Sequence, residues 1–340
     1  MKAYYTKAPM KFELRDVEIA SLAPDEVLVD VKACGVCGWD VLVAQVVAED
    51  WSPIGHELSG EVVEVGAAVP NVKLGDPVVV ENSTFCGVCD QCKRGNVVHC
   101  ANLDHHRSPG GFAEFIKVRY TSVYPMPEGL SFPAGALAEP LTVAIDMVEA
   151  AEIPLAGRVV VFGPGPIGLM IAKLAMVKGA GRIYLTGHAH SHRRWEVAQE
   201  LGVTDCIRVD EEDLVDYFEV HEPEGVDRVL VTAPPATIPD AMKLCRFGGI
   251  IAYNGIKFGK AGTIKLDGND FHFKRLQLRG VHSIPNLGWP QALDLLRRRV
   301  IDPDLFISHT FPFEEVPEAV RFAATARSET VKVMVDVAGA

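Results

Sequence analysis

The sequence predicts an α/β protein of two domains, one β-rich and one built on a doubly wound parallel sheet. Three observations carry that prediction. At 340 residues, the chain exceeds the roughly 250–300 residues at which single hydrophobic cores stop growing. Its first 80 residues read as short strands broken by turn signals, followed by a cysteine-rich loop and one more strand-like run. From about residue 156, strand-like and helix-like runs alternate, as they do in βαβ units.

Taken in order, EVLVDVKA (26–33), GEVVEVG (60–66), the turn-and-strand KLGDPVVVE (73–81) and GFAEFIKV (111–118) read as strands. The second rhythm opens with the buried strand GRVVVFG and the helix IGLMIAKLAMVKGA, whose apolar residues fall at helical spacing. RIYLTG is the next strand, and HRRWEVAQELGV is a helix closed by Gly202. TDCIRVD, DRVLVTA, the helix PDAMKLCRFGG, the strand IIAYNG and LQLRGVHS complete six strands with crossovers. A helix (PQALDLLRRRV) and a strand (VKVMVDV) end the chain. These signals divide it into 1–150, 151–283 and a tail, 284–340, that returns to the first domain.

Composition narrows the function classes. The chain is 48% hydrophobic and 23% charged, so it is expected to fold throughout. Lys plus Arg number 33 against 45 Asp plus Glu, a net charge of −12. A surface of that sign repels phosphate backbones, so neither nucleic acid nor an anionic membrane is an expected partner. The apolar window 159–177 contains Pro164, Pro166, glycines and Lys173, and so reads as strand, turn and helix rather than a membrane span. The N-terminus MKAYYTKAPMKFELRD lacks the features of a signal peptide. Six of the eight cysteines fall in two clusters, which in a cytoplasmic protein indicates metal or redox chemistry.

Gly163-Pro164-Gly165-Pro166-Ile167-Gly168 fits G-x-G-x-x-G between a strand and a helix. There the glycines admit a tight turn and a close pyrophosphate, which the helix N-terminus attracts. The end of the second strand selects the dinucleotide. An Asp or Glu at that point binds the ribose 2′-OH of NAD. Here the strand ends at Gly187, followed by His188, His190, His192, Arg193 and Arg194, with no carboxylate. Arginine accommodates a 2′-phosphate, so NADP(H) is expected. A solvated basic helix start, or a histidine metal tract, is the alternative reading of these residues.

Cys86-x2-Cys89-x2-Cys92-x7-Cys100 supplies four thiolates within one loop (86–100), a closed set suited to a structural Zn²⁺. A dispersed set, Cys37, His56-Glu57 and Glu139, offers a thiolate, an imidazole and a carboxylate. Three such ligands would leave a coordination position open, as a catalytic zinc requires, but spacing alone does not establish the set, and a lone His followed by Glu is usually structural.

The segments GVCGWD, GHELSGEVVEVG, the four-Cys lobe, GGFAEF, AEPLTVA, GPGPIG and HTFPFEEVPEAV together resemble the zinc-dependent medium-chain dehydrogenase/reductase family, nearest its alcohol and polyol branch. The resemblance covers nearly the whole chain. It implies a GroES-like catalytic domain, a Rossmann cofactor domain, and hydride transfer between the nicotinamide cofactor and a small-molecule secondary alcohol or polyol, or its ketone. The alternatives are a zinc-retaining reductase of a ketone, imine or conjugated alkene, or a non-catalytic cofactor-binding protein. It also implies Cys37, His56 and Glu139 (or Glu57) as catalytic zinc ligands, Asp40 as the residue orienting His56, and a homodimer or homotetramer.

The chain departs from the family at two places. A Ser or Thr commonly stands two residues after the ligand Cys, and often a His three beyond, to move the alcohol proton. Trp39 and Leu42 stand there, and neither relays a proton. Trp39 either packs in the core or narrows the pocket and stacks on substrate. The loop Asp104-His105-His106-Arg107 offers imidazoles, His106 among them, for the missing relay, or is simply solvated. Cys34, Cys206 and Cys245 read as small buried hydrophobes.

Overall fold

In the computed structural model, residues 1–105 and 109–338 are described. The chain forms two compact units, Met1–Thr142 with Ser283–Ala340, and Val143–His282. The first division therefore falls at Thr142/Val143, eight residues before the sequence boundary at 150. The second falls at His282/Ser283.

The first unit opens with an antiparallel hairpin, Lys2–Lys7 and Lys11–Asp16. Its main sheet then begins with β1 (Glu26–Gly35), followed by α1 (Gly38–Leu42), β2 (Glu57–Val65), β3 (Pro77–Val80), β4 (Phe115–Arg119) and β5 (Val123–Pro125). The helix α2 (Ala138–Ala151) contains the junction between the units.

The second unit runs β6 (Arg158–Phe162), α3 (Pro166–Val177), β7 (Arg182–Gly187), α4 (His192–Glu200) and β8 (Asp205–Arg208). It closes with β9 (Val226–Val231), β10 (Cys245–Tyr253) and β11 (Gln277–Gly280). The tail returns to the first unit as β12 (Ile307–Pro312) and β13 (Lys332–Asp336).

In the second unit the strand order is β8-β7-β6-β9-β10-β11, every neighbouring pair parallel. This is the doubly wound arrangement, in which the order reverses beside β6 and ligands bind beyond the strand carboxyl ends. Val160, Tyr184, Val229 and Ile251, one from each central strand, are buried in its core. One expectation was off by several residues. The helix predicted over 239–249 ends at Leu244, and Cys245 already begins β10. Gly248 adopts φ +75°, and the β9–β10 register shifts between Val226 and Arg228, so a bulged strand takes residues that helical periodicity claimed.

In the first unit the order is β5-β3-β2-β1-β13-β12, with β4 also paired to β1. The alternation of EVLVDVKA is realised: Val27, Val29, Val31 and Ala33 are buried, and Glu26, Leu28, Asp30 and Lys32 between them are half-buried. β13 pairs antiparallel with β1, setting Met334 opposite Gly35. This pairing joins residues about 300 positions apart and brings the tail to the segment before Cys37.

Candidate metal and dinucleotide sites

Cys37 ends the loop after β1 and caps α1. Its Sγ accepts from the Trp39 N–H at 3.4 Å, and its own N–H donates to Asp40 Oδ2 at 2.9 Å. The other Asp40 oxygen accepts from Gly55 N–H at 2.9 Å and lies 3.5 Å from His56 Nδ1. Asp40 is buried, with its carboxylate set against the His56 ring. Burial alone would raise the Asp40 carboxyl. The His56 charge and the Gly55 and Cys37 N–H groups outweigh that and hold it below the ordinary carboxylate range. Burial likewise pushes the Cys37 thiol up, with the His56 charge opposing.

Ligand atoms of Cys37, His56 and Glu57 lie within 4.8 Å of one another. Thiolate, imidazole and carboxylate at that separation fit a Zn²⁺ with one position to spare. Among the described residues this group includes Glu57 and leaves out Glu139. Glu57 reaches the site because it pairs in register with Gly35, where any Cβ would collide with its carboxylate. Glu139, in the first turn of α2, is buried and accepts from Asn82 Nδ2 at 3.2 Å. Burial pushes its carboxyl up to about 7, the His56 charge opposing.

Lys332, which the sequence did not single out, sits on β13 with its ammonium 2.6 Å from both Glu57 oxygens and 3.2 Å from the Val36 carbonyl. It is 4% exposed. The available signal was a lone lysine inside the apolar strand VKVMVDV.

Trp39 is 40% exposed, so its ring does not pack in the core. His106 lies outside the described residues. The buried Cys34 donates its S–H to the Gly35 carbonyl at 3.7 Å and stands outside the metal group, as a small hydrophobe would.

The four-cysteine lobe assembles as its spacing implies. Ligand atoms of Cys86, Cys89, Cys92 and Cys100 lie within 4.8 Å of one another, and all eight cysteines are free thiols. Sulfur separations of 3.5 Å (Cys89–Cys92), 3.6 Å (Cys86–Cys100) and 4.0 Å (Cys89–Cys100) surround the edge, about 3.8 Å, of a ZnS₄ tetrahedron with bonds of about 2.3 Å. Backbone N–H groups aimed at sulfur bring Cys86 down to about 6, which favours the thiolate that binds metal.

In the second unit, β6 ends at Phe162 and Gly163 turns with φ +102°. Gly165 caps α3 and Pro166 occupies its first turn, with Ile167 next. A Cβ on Gly168 would collide with the Gly163 carbonyl oxygen, whereas one on Gly165 would meet open space. The two glycines thus differ: Gly168 is needed for packing, and Gly165 leaves the loop open to a ligand.

At the end of β7, Gly187 packs against Pro164 and Trp195, and the Trp195 indole donates to the His188 carbonyl at 3.1 Å. Arg193 is turned onto its own helix, 2.9 Å from Glu196 and 3.7 Å from Glu200. Arg194 stands in the first turn of α4. A carboxylate does reach this loop from the next strand segment: Asp210 Oδ1 accepts from Ala189 N–H at 2.8 Å. His188 stacks on His190, and no metal group among the described residues includes the histidine tract.

Comparison with known proteins agrees with this geometry. Residues 23–128 match the alcohol dehydrogenase GroES-like domain, and 166–298 match the zinc-binding dehydrogenase domain. The chain is 31% identical to a D-arabitol-phosphate dehydrogenase of Enterococcus avium (94% of this chain, 92% of that one). It is 29% identical to a sorbitol dehydrogenase of Bacillus subtilis (98% and 97%). A zinc-binding dehydrogenase of Sinorhizobium meliloti solved with NADP superposes with a TM-score of 0.88 at 30% identity, each chain 99% covered. An Escherichia coli alcohol dehydrogenase solved with NADH superposes at 0.90 and 25%, again with 99% of each chain covered. With its GroES-like and Rossmann-type domains, this chain belongs to the zinc-dependent medium-chain alcohol and polyol dehydrogenases and is an oxidoreductase.

Proposed function

We propose that this enzyme transfers a hydride between NADP(H) and a secondary alcohol or polyol, or the corresponding ketone. The observation that carries the reading is the convergence of Cys37, His56 and Glu57 with Asp40 on the imidazole. A zinc ion held by those three residues would supply a Lewis acid for the substrate oxygen, and the nicotinamide would supply or take the hydride. Asp40 keeps the imidazole oriented, and the other ring nitrogen would be the one to hold the metal. Lys332 neutralises Glu57 and fixes its carboxylate in a site that excludes most water. Trp39 presents an exposed apolar face beside Cys37, suited to the C–H face of a polyol or to an aromatic ring. A second zinc belongs to the Cys86–Cys100 lobe, where the four closed ligands give it a structural role.

NADP(H) is supported by Gly187 at the end of β7 and by the basic residues His188, Arg193 and Arg194 after it. Asp210, bonded to the same loop, favours a second reading in which its carboxylate accepts from the ribose of NAD(H). Because Trp39 and Leu42 cannot relay a proton, a zinc-retaining reductase of ketones, imines or conjugated alkenes is the alternative chemistry. We place the enzyme in the cytoplasm as a homodimer or homotetramer. No described helix is long and apolar enough to cross a membrane.

Metal analysis paired with cofactor titration tests the proposal. The expected result is two zinc ions per chain, one of them lost in Cys37→Ala together with turnover on polyols, and NADP(H) bound more tightly than NAD(H). Tighter NAD(H) binding would overturn the cofactor assignment. Full turnover in a zinc-free Cys37→Ala protein would overturn the metal assignment.

A further inference from the structure

The glycine-rich turn after β6 has no polar side chain of its own. Gly163-Pro164-Gly165-Pro166-Ile167-Gly168 is glycine, proline and isoleucine throughout, and its two prolines donate no backbone N–H. Three glycines also give the segment wide backbone freedom, which is lost when a ligand settles on one conformation. Side-chain support for the turn therefore has to come from the strands beside β6.

On the β7 side, the Gly163 N–H donates to the Thr186 carbonyl at 3.0 Å, and Pro164 packs on Gly187. On the other side the contact is a hydroxyl. β9 pairs with β6 as far as Val231 opposite Phe162, and Thr232 is the next residue. The backbone N–H groups of Thr232 and Ala233 donate to the Phe162 carbonyl at 2.9 and 3.1 Å. The Thr232 hydroxyl donates to that carbonyl at 2.8 Å and has the Gly163 carbonyl in reach at 3.3 Å. It thus sits between the two carbonyls that open the turn.

The glycines make room for it. A Cβ on Gly163 would stand 2.8 Å from the Thr232 hydroxyl oxygen, and one on Gly168 would stand 3.3 Å from it. The Gly163 carbonyl in turn lies against Gly168, in the first turn of α3. Hydroxyl, carbonyl and helix start are consequently in contact one after another. Where the hydroxyl sits fixes where the N–H groups at the start of α3 point, and those groups receive a pyrophosphate.

We propose that Thr232 is a positioning residue for the dinucleotide, its hydroxyl pinning the opening of the glycine-rich turn in the shape that receives the pyrophosphate. The inference rests on a dinucleotide occupying this turn and holds for NAD(H) and NADP(H) alike, because both carry the pyrophosphate.

Titration of the zinc-loaded enzyme with NADH and NADPH tests it in two variants that differ from each other by the hydroxyl alone. Thr232→Ala is expected to weaken both cofactors by the same factor, about tenfold, the size of one hydrogen bond turned into affinity. Its kcat at saturating cofactor is expected to stay at the wild-type value. Thr232→Ser keeps the hydroxyl and is expected to bind both cofactors as the wild type does. Should Thr232→Ala fail to fold, Thr232→Val takes its place in the same comparison. Wild-type affinity in the variant without the hydroxyl would overturn the inference. So would a Thr232→Ser protein as weak as that variant, or a loss confined to one of the two cofactors. A wild-type enzyme that binds neither dinucleotide would instead remove the cofactor site itself, and the inference with it.

Discussion

Glu81 shows how far one buried side chain departs from its behaviour in water. Burial is the leading cause that pushes its carboxyl from the ordinary 4.5 up to about 7, against the N–H and O–H groups that favour the anion. The folded protein thus keeps a proton that the unfolded chain releases at lower pH. The Glu81 contribution to stability is full below about pH 4.5 and is lost as the pH rises to about 7, a swing of about 3 kcal/mol. Glu81→Gln removes the titrating group. Denaturant titrations of both proteins are expected to show the wild type losing about 3 kcal/mol relative to Glu81→Gln between pH 4.5 and 7.5. A difference that stays flat with pH would show that Glu81 ionises freely. Nothing in the sequence marked Glu81 or Asn82, because their partners Asn286 and Glu139 lie 205 and 57 residues away. Cys37 and Asp40 were named through the resemblance carried by GVCGWD, and in the fold they cap each other within one short helix.

At the scale of elements, the signals that proved legible are local ones. The four-cysteine lobe closes within 15 residues, and the glycine-rich turn is set by the backbone freedom of a single hexapeptide, so both assemble where the spacing put them. Gly168 illustrates the constraint. Because a Cβ there would press on the Gly163 carbonyl, Gly168→Ala is expected to destabilise the protein by about 1–3 kcal/mol and to displace the turn that receives the pyrophosphate. Thermal unfolding and dinucleotide titration measure the two effects. A variant with wild-type melting and wild-type cofactor affinity would refute this reading of the turn. Elements that depend on their neighbours were less legible. The segment 245–249 carries helical spacing, but pairing with β9 makes it strand. At the basic tract after β7, read as a phosphate site, the structure adds two contacts that spacing does not carry: Arg193 pairs with Glu196 of its own helix, and a later segment brings Asp210 to Ala189.

For the whole molecule, the decisive contact is the one between its ends. Lys332 comes from β13 and Glu57 from β2, and each flanks β1 in the sheet. Lys332→Met removes the cation and leaves a buried carboxylate unpaired, which is expected to cost about 3–5 kcal/mol in the metal-free protein. Denaturant unfolding of the chelated protein measures that loss, and a loss below 1 kcal/mol would show that Glu57 finds another partner. The sequence by itself determined the two-domain α/β architecture, the glycine-rich turn and the four-cysteine lobe, while Cys37, His56 and Asp40 were singled out only by resemblance. The architecture, the turn and the lobe are written in short-range spacing or hydrophobic period, which constrains the backbone before any distant contact forms. Only the tertiary structure decided that Glu57 stands with Cys37 and His56 in a group that leaves out Glu139, that Lys332 pairs with Glu57, and that Asp210 reaches the loop after β7. Those outcomes depend on which strands pair and in what register, and register is settled by burying a whole sheet face at once rather than by any one residue.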